Sequence, residues 1–211
     1  MCSGIFCVKG KFSKDTLPDF CPMKTMENII QTAVKKYAEE EVKSIYVPAT
    51  ITEKEGYEIV RGKLIPVRPR IRELIEFAKK IGAQKIGIAF CTGLSDEASK
   101  VAAVLRHFGF TVHSVRCKCG AIDKTKLGVP KEYKFGEPDE FEAACNPVAQ
   151  ALLLNAIKTD LNIIVGLCVG HDILFTKYSE APVTTLIVKD RYTGHNPVIA
   201  LYSGYHKSFL K

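Results

Sequence analysis

No apolar run in the 211-residue chain is long enough to span a bilayer. The first residues also lack the basic, apolar and small-residue order of a secretory signal. These absences predict a cytoplasmic protein with no membrane partner. Neither Gly93 nor Gly170 lies in a G-x-G-x-x-G or Walker pattern, and Asp96 and Glu97 would repel phosphate at the helix that follows Gly93. Both points argue against a dinucleotide loop. Aromatic and basic residues are not interleaved as they are on an RNA-binding face, so nucleic acid is not an expected partner. The net charge of +7 comes from lysines spread through the chain, which reads as a solvated basic surface rather than a docking stripe. There is no C-x-x-C, and Cys117-x-Cys119 is the nearest approach, so a thiol–disulfide enzyme is disfavoured. Internal repeats and low-complexity tracts are also absent.

What the chain does have is cysteine. There are eight: Cys2, Cys7, Cys21, Cys91, Cys117, Cys119, Cys145 and Cys168. A short secreted protein with this count would be read as a set of disulfides. Here the chain is long, 46% of it is hydrophobic, and a core can form without staples. In a reducing compartment the same count points to metal, cluster or redox chemistry. Any one of the cysteines can instead be a small buried hydrophobe.

The order of elements predicts a small doubly wound α/β domain. Residues 1–24 form a Cys-rich segment without periodicity, and 25–211 form a single α/β domain with a helical lead-in to residue 82. In the lead-in, Ile29, Ile30, Ala33, Val34 and Tyr37 recur at helical spacing, so a helix is expected from Thr25 to about Val42. A second is expected within Glu53–Arg61. Ile71, Leu74, Ile75, Ala78 and Ile81 define a third from Arg70 to Lys80, stopped by Gly82. Strands then alternate with helices. Lys85–Phe90, Thr111–Arg116, Leu161–Leu167 and Val183–Lys189 read as strands, which implies parallel pairing and right-handed crossovers. Ser95 is the expected N-cap of the helix after the first strand. Asn146 and Pro147 open a helix that is apolar on nearly every face and is therefore expected to be buried.

In a parallel sheet all strand C-termini share one edge, where ligands bind. The residues just past the strands are Cys91, Cys117, Cys168 and Asp190. Cys145 precedes the helix that leads into the third strand. It is expected at the opposite end of the sheet unless the long polar loop of residues 120–144 carries it back. Thiolates near helix N-termini make a candidate metal site. Soft sulfur ligation selects a [4Fe–4S] cluster or zinc over magnesium or calcium. His171, Asp172, His195 and Asn196 lie on the same edge, with His171 as a candidate ligand or acid/base, and His171, Asp172 and His195 form the candidate catalytic set. The bland alternatives are a helix-start histidine bonded to backbone and, for Asp172, a first-turn helix acid. Cys2, Cys7 and Cys21 form a second candidate ligand set, which would staple a segment that has no core of its own. Their separations of four and thirteen residues match neither a zinc ribbon nor a ferredoxin run.

The strings IGIAFCTGL, RCKCG, CNPVAQALLLN, GLCVGHDILF and VKDRYTGHNP, between about Glu73 and Leu201, resemble a prokaryotic family of cysteine-rich proteins. It is a domain-of-unknown-function family whose members are described as metal-binding. The resemblance implies Cys91, Cys117, Cys145 and Cys168 as motif cysteines, leaves Cys119 outside the pattern and supplies no reaction. The N-terminal cysteines resemble the family's Cys-rich start, with looser spacing. Two functions follow as expectations. One is a cytoplasmic iron–sulfur or zinc protein acting at the sheet edge on a sulfur-containing or redox-active small molecule. The other is a non-catalytic, zinc-stabilised binding or regulatory module.

Overall fold

The computed structural model describes residues 6–10 and 12–204. They divide into two compact units, Met1–Glu55 and Gly56–Lys211. The first contains α1 (Phe6–Lys9), α2 (Pro22–Thr25), α3 (Glu27–Lys36) and α4 (Glu40–Glu55). The single helix expected from Thr25 to Val42 is thus two. Lys35 and Lys36 sit in the last turn of α3, and Glu40 and Glu41 in the first turn of α4. Each end carries the charge its helix dipole favours. Lys36 and Glu39 pair at 2.8 Å across the break. The helix expected within Glu53–Arg61 exists only as the end of α4. Pro48 lies inside α4, and the Thr52 hydroxyl donates to its carbonyl at 2.8 Å.

The second unit opens with a hairpin that the sequence reading missed, β1 (Tyr57–Val60) against β2 (Lys63–Pro66). Arg61 and Gly62 both have positive φ, 50° and 73°, as a two-residue hairpin turn requires. Next come α5 (Arg70–Lys80), β3 (Lys85–Phe90), α6 (Ser95–His107), β4 (Thr111–Arg116), α7 (Pro147–Ile157), β5 (Leu161–Val165), α8 (His171–Tyr178), β6 (Val183–Ile187) and α9 (Ile199–Tyr202). Strands β3 to β6 form a wholly parallel sheet in the order β4-β3-β5-β6. The doubly wound α/β class is therefore correct. Among the described residues, no helix is long and apolar enough to cross a membrane.

Strand order reverses between β3 and β5. The chain steps from β3 outward to β4, then crosses back over β3 to lay down β5. Their C-terminal ends are the switch point, where crossovers depart on opposite faces and leave a crevice. β3 and β5 are the most buried strands, and the core packs on them through Ile86, Ile88, Ile163 and Val165. β6 is an edge strand, half-buried along its length. Arg70 of α5 covers part of that edge, its Nε donating to the Thr185 carbonyl at 2.9 Å.

Close approach of β3 and β5 depends on Gly87. The side chain of its register partner Asn162 lies across it, and a Cβ there would fall 2.0 Å from Asn162 Oδ1 and 2.8 Å from Leu154 Cδ1. Asn162 is fully buried and bonded at both ends of its amide: its Oδ1 accepts from Thr159 at 2.8 Å, and its Nδ2 donates to Ser179 Oγ at 2.7 Å. Gly87→Ala must displace this side chain and break its hydrogen bonds, at a cost of about 2–4 kcal/mol. The urea midpoint of the variant should fall accordingly. Gly136→Ala, where a Cβ meets nothing within 4 Å, should change stability by less than about 0.5 kcal/mol.

Candidate functional site

Four cysteines arrive at the C-terminal edge from separate elements. Cys91 directly follows β3, Cys117 directly follows β4, and Cys145 lies two residues ahead of α7. Cys168 comes three residues after β5 rather than at its end. Gly166 makes the difference: it turns the chain with φ 68°, and a Cβ on it would come within 2.5 Å of Leu94.

Cys145 lies at the strand C-termini, on the edge to which the long loop is expected to return it, and chain direction alone puts it there. A crossover helix runs antiparallel to the strands it joins, so the start of α7 lies at the strand C-termini. The Asn146 amide donates to the Cys117 carbonyl at 2.6 Å, placing the two chain segments side by side. The Asn146 side chain caps α7 as expected, accepting from the Ala149 amide at 3.1 Å. Between Cys117 and Cys145 the long loop closes on itself. Ala144 N donates to Ile122 O at 2.8 Å, and Lys124 N to Glu142 O at 3.0 Å. Asp123 is its hub, accepting from Thr125, from the Glu142 amide and from Lys134. These bonds, the Thr125 hydroxyl first among them, hold its carboxyl well below the usual carboxylate range.

Two of the sulfurs touch. Cys145 Sγ donates to Cys117 Sγ across 3.9 Å. Thr92, just after Cys91, presents both its amide (3.3 Å) and its hydroxyl (3.5 Å) to the Cys117 sulfur. Cys117 is 3% exposed. The bond from Cys145, then those from Thr92 and Cys91, bring its thiol down to about 4 against the opposing effect of burial. Cys145 moves the other way. It loses its hydrogen bond to Cys117 if it ionises, it is partly buried, and it faces negative charge on Cys117, Cys168 and Cys91.

Two cations that the sequence reading passed over complete the edge. Lys189 Nζ reaches Cys91 Sγ at 2.6 Å, and Arg191 Nη2 reaches Cys168 Sγ at 3.1 Å. Both follow β6, whose pairing with β5 shifts register after Ile164. The extra residue changes which way the following side chains face. Gly93 leaves room for this contact, since a Cβ there would stand 3.3 Å from Lys189 Nζ. Lys189 and Arg191 could have been found by extending the strand-end rule two and four residues past β6.

Gln150 of α7 fixes the two strand ends from below. It is fully buried, and its Nε2 donates to Val115 O at 2.7 Å and Phe90 O at 3.3 Å. Only part of α7 is buried, however. Leu152 and Leu153 are 53% and 47% exposed, contrary to the expectation of burial on every face. With Cys119, Gly120, Ile122, Asn146 and Ala149 they line an apolar hollow of about 360 Å³. Cys119 Sγ points to Asn146 O at 3.9 Å, and burial raises its thiol above the ordinary value.

The remaining candidates fall as follows. His171 is the first residue of α8 and half-buried. Asp172 Oδ1 accepts from the Gly170 and Ile173 amides, both at 2.9 Å, as a first-turn acid does. His195 has φ 68°, and its Nδ1 accepts from the Asp190 amide at 3.1 Å, which leaves Nε2 as the ring's donor. Ser95 is not the cap of α6; Leu94 holds that position, and the Ser95 hydroxyl donates to Thr92 O at 2.8 Å. In the first unit Cys21 is 4% exposed, and Cys7 is exposed with its Sγ 3.6 Å from Met23 Sδ. Cys2 lies outside the described residues. Among the described residues, no three His, Cys, Asp or Glu side chains are already gathered in a way that could hold a metal ion.

The family described as "Protein of unknown function (DUF1847)" matches residues 21–186. The chain belongs to this family. It is also 43% identical over 206 residues to "Uncharacterized protein MJ0455" of Methanocaldococcus jannaschii, an alignment covering 97% of this chain and 93% of that protein. The family match takes in Cys91, Cys117, Cys145 and Cys168 as well as Cys21; it ends before Lys189 and Arg191.

The Cys117–Cys145 pair predicts a pH profile for the reduced, metal-stripped protein. Between pH about 4 and the ordinary thiol value of 9.0, the folded pair carries one proton and the unfolded pair two. Stability therefore rises with pH through that window and falls above it, where the unfolded pair loses both protons. Ultraviolet titration should show one thiolate surviving to about pH 4 in the wild type. The same titration of Cys117→Ser should lack that step, and its stability should depend less on pH between 5 and 8. If the two proteins titrate alike, Cys117 is not the anion.

Proposed function

We propose that this protein is a metalloprotein whose centre, an iron–sulfur cluster or zinc, is held at the switch point by Cys91, Cys117, Cys145 and Cys168. The observation that carries the reading is the Cys117–Cys145 sulfur separation of 3.9 Å at an edge where Cys91 acts on both thiols and Cys168 acts on Cys145. Two sulfurs on one tetrahedral zinc, each about 2.3 Å from the ion, lie about 3.8 Å apart. Cys91 and Cys168 are turned to Lys189 and Arg191, so ligation requires each sulfur to rotate away from its cation. A cluster carries its own sulfides and spans more space than one ion, so it tolerates a wider arrangement of thiolates. Once four thiolates bind a divalent ion or a cluster, the centre is anionic, and Lys189 and Arg191 are placed to offset that charge.

In this reading the substrate is a sulfur-containing or redox-active small molecule that enters the crevice between β3 and β5. His171 and His195 supply polar contacts; with all four thiolates ligated the centre would supply electron transfer, and only a cluster held by three of them would leave an open iron for Lewis-acid chemistry. A second reading is favoured by the hydrogen bonds of Asp172 and His195, which are spent on local backbone. It is a non-catalytic, zinc-stabilised binding or regulatory module, in which these residues shape the edge.

Metal and acid-labile sulfide per chain after anaerobic purification test the reading. Iron with stoichiometric sulfide supports the cluster; zinc without sulfide supports the module. Cys91→Ser and Cys168→Ser should each fold and lose most of the metal, because a serine keeps the volume but not the soft thiolate. Full metal in both variants would rule out the sheet-edge centre. His171→Ala should keep its metal if His171 acts on substrate.

We further propose that Cys2, Cys7 and Cys21 contribute to a separate metal staple in the N-terminal segment. A chelator should then speed proteolysis ahead of Thr25 while the α/β unit stays intact. An unchanged cleavage pattern would show that no metal holds that segment.

A further inference from the structure

We propose that Cys117 and Cys145 are a redox-active dithiol, which in the metal-free protein closes to a Cys117–Cys145 disulfide by exchange with a low-molecular-weight disulfide. The geometry that points to it is a pair of sulfurs 3.9 Å apart on segments already joined by the Asn146 N to Cys117 O hydrogen bond. A disulfide needs neighbouring backbones and side chains that approach each other; the backbone hydrogen bond supplies the first and the 3.9 Å sulfur separation the second. The two cysteines are 28 residues apart in sequence, so no C-x-x-C spacing announces them.

The surroundings select this pair over the others. Cys91 is engaged by Lys189 and Cys168 by Arg191, each drawn toward β6. Cys119 is turned to the Asn146 carbonyl and the apolar hollow. Cys117 is buried behind Thr92, whereas Cys145 is partly open. The division of labour follows from access. Cys145 is the sulfur that an external disulfide can reach, and Cys117 is the sulfur placed to resolve it.

The exchange balances in two steps. Attack requires the shared proton to move from Cys145 onto Cys117, against the resting arrangement, and in that minor form the partly open Cys145 thiolate attacks a small disulfide, RSSR. This forms a Cys145–S–SR bond and releases RS⁻. The Cys117 proton then leaves to that thiolate or to solvent, and the Cys117 thiolate attacks the Cys145 sulfur. The Cys117–Cys145 bond forms, and a second RS⁻ departs. The pair gives up two electrons and its one shared proton, and the small disulfide is reduced to one thiol and one thiolate, the latter taking its proton from solvent as the pH requires. The new bond clips the base of the 118–144 loop and withdraws two of the four edge sulfurs from any metal. The inference rests on the sulfur geometry and holds whether or not the centre binds metal.

The test uses the full wild-type chain, stripped of metal and equilibrated without oxygen in mixtures of reduced and oxidised glutathione. After acid quench and alkylation, trypsin cuts at Arg116 and Lys118, which separates Cys117 from Cys119. The expected product is the Cys117 peptide joined to the Cys145 peptide, reversed by dithiothreitol, with Cys91, Cys119 and Cys168 alkylated. Cys145→Ser should lose the linked product. A preferred link through Cys91, Cys119 or Cys168, or no protein disulfide at any glutathione ratio, would overturn the proposal. Metal content of the unstripped protein is measured in parallel. A chain that binds no metal yet forms this link refutes the metal reading alone. One that binds metal yet forms no link once stripped refutes the dithiol alone.

Discussion

The amide of Gln150 holds the edge of this protein together. One nitrogen, buried in the interior, satisfies the carbonyl of Phe90 at the end of β3 and that of Val115 near the end of β4. The next residue after Phe90 is Cys91, and Cys117 follows two residues after Val115. The same helix begins two residues after Cys145. A single side chain on α7 therefore locks the positions from which three thiols depart. Removing the amide would take a donor from the Val115 carbonyl and one of two donors from the Phe90 carbonyl, which also accepts from the Cys117 amide at 2.9 Å, at a cost of about 1–3 kcal/mol. Geometry at the sulfurs is a consequence of that packing.

Charge follows from it. Gathering thiols at one edge is unfavourable once more than one ionises, and the structure answers in two ways. Cys117 and Cys145 share a proton, so one sulfur is an anion and the other its donor. Lys189 and Arg191 face the other two sulfurs. Sulfurs matched in this way suit either ligation or electron transfer. The two are mutually exclusive at Cys117 and Cys145, because a sulfur in a disulfide has no thiolate to give to a metal.

Much of the second unit was legible from periodicity. The four parallel strands, the helices α5 to α8 and the edge positions of Cys91 and Cys117 follow from short apolar runs alternating with amphipathic or apolar stretches. The β1–β2 hairpin was not, because Arg61-Gly62 is a weaker turn signal than Asn-Gly and the strands are exposed on both faces. The split of α3 from α4 was missed because the apolar spacing runs on past it, and only the charges at residues 35–41 mark the break.

What the sequence determined by itself was the class of sheet, the edge on which ligands would gather and the identity of the thiols, since each depends on local pattern and chain direction. Only the tertiary structure decided which thiols meet. Cys145 joins Cys117 because a crossover helix must start at the edge where the strands end, and because the 118–144 loop between them closes on Asp123. Lys189 reaches Cys91 because β6 lies beside β5 with a shifted register, 98 residues along the chain from its partner. Local pattern carries no record of contacts at such separations; packing makes them.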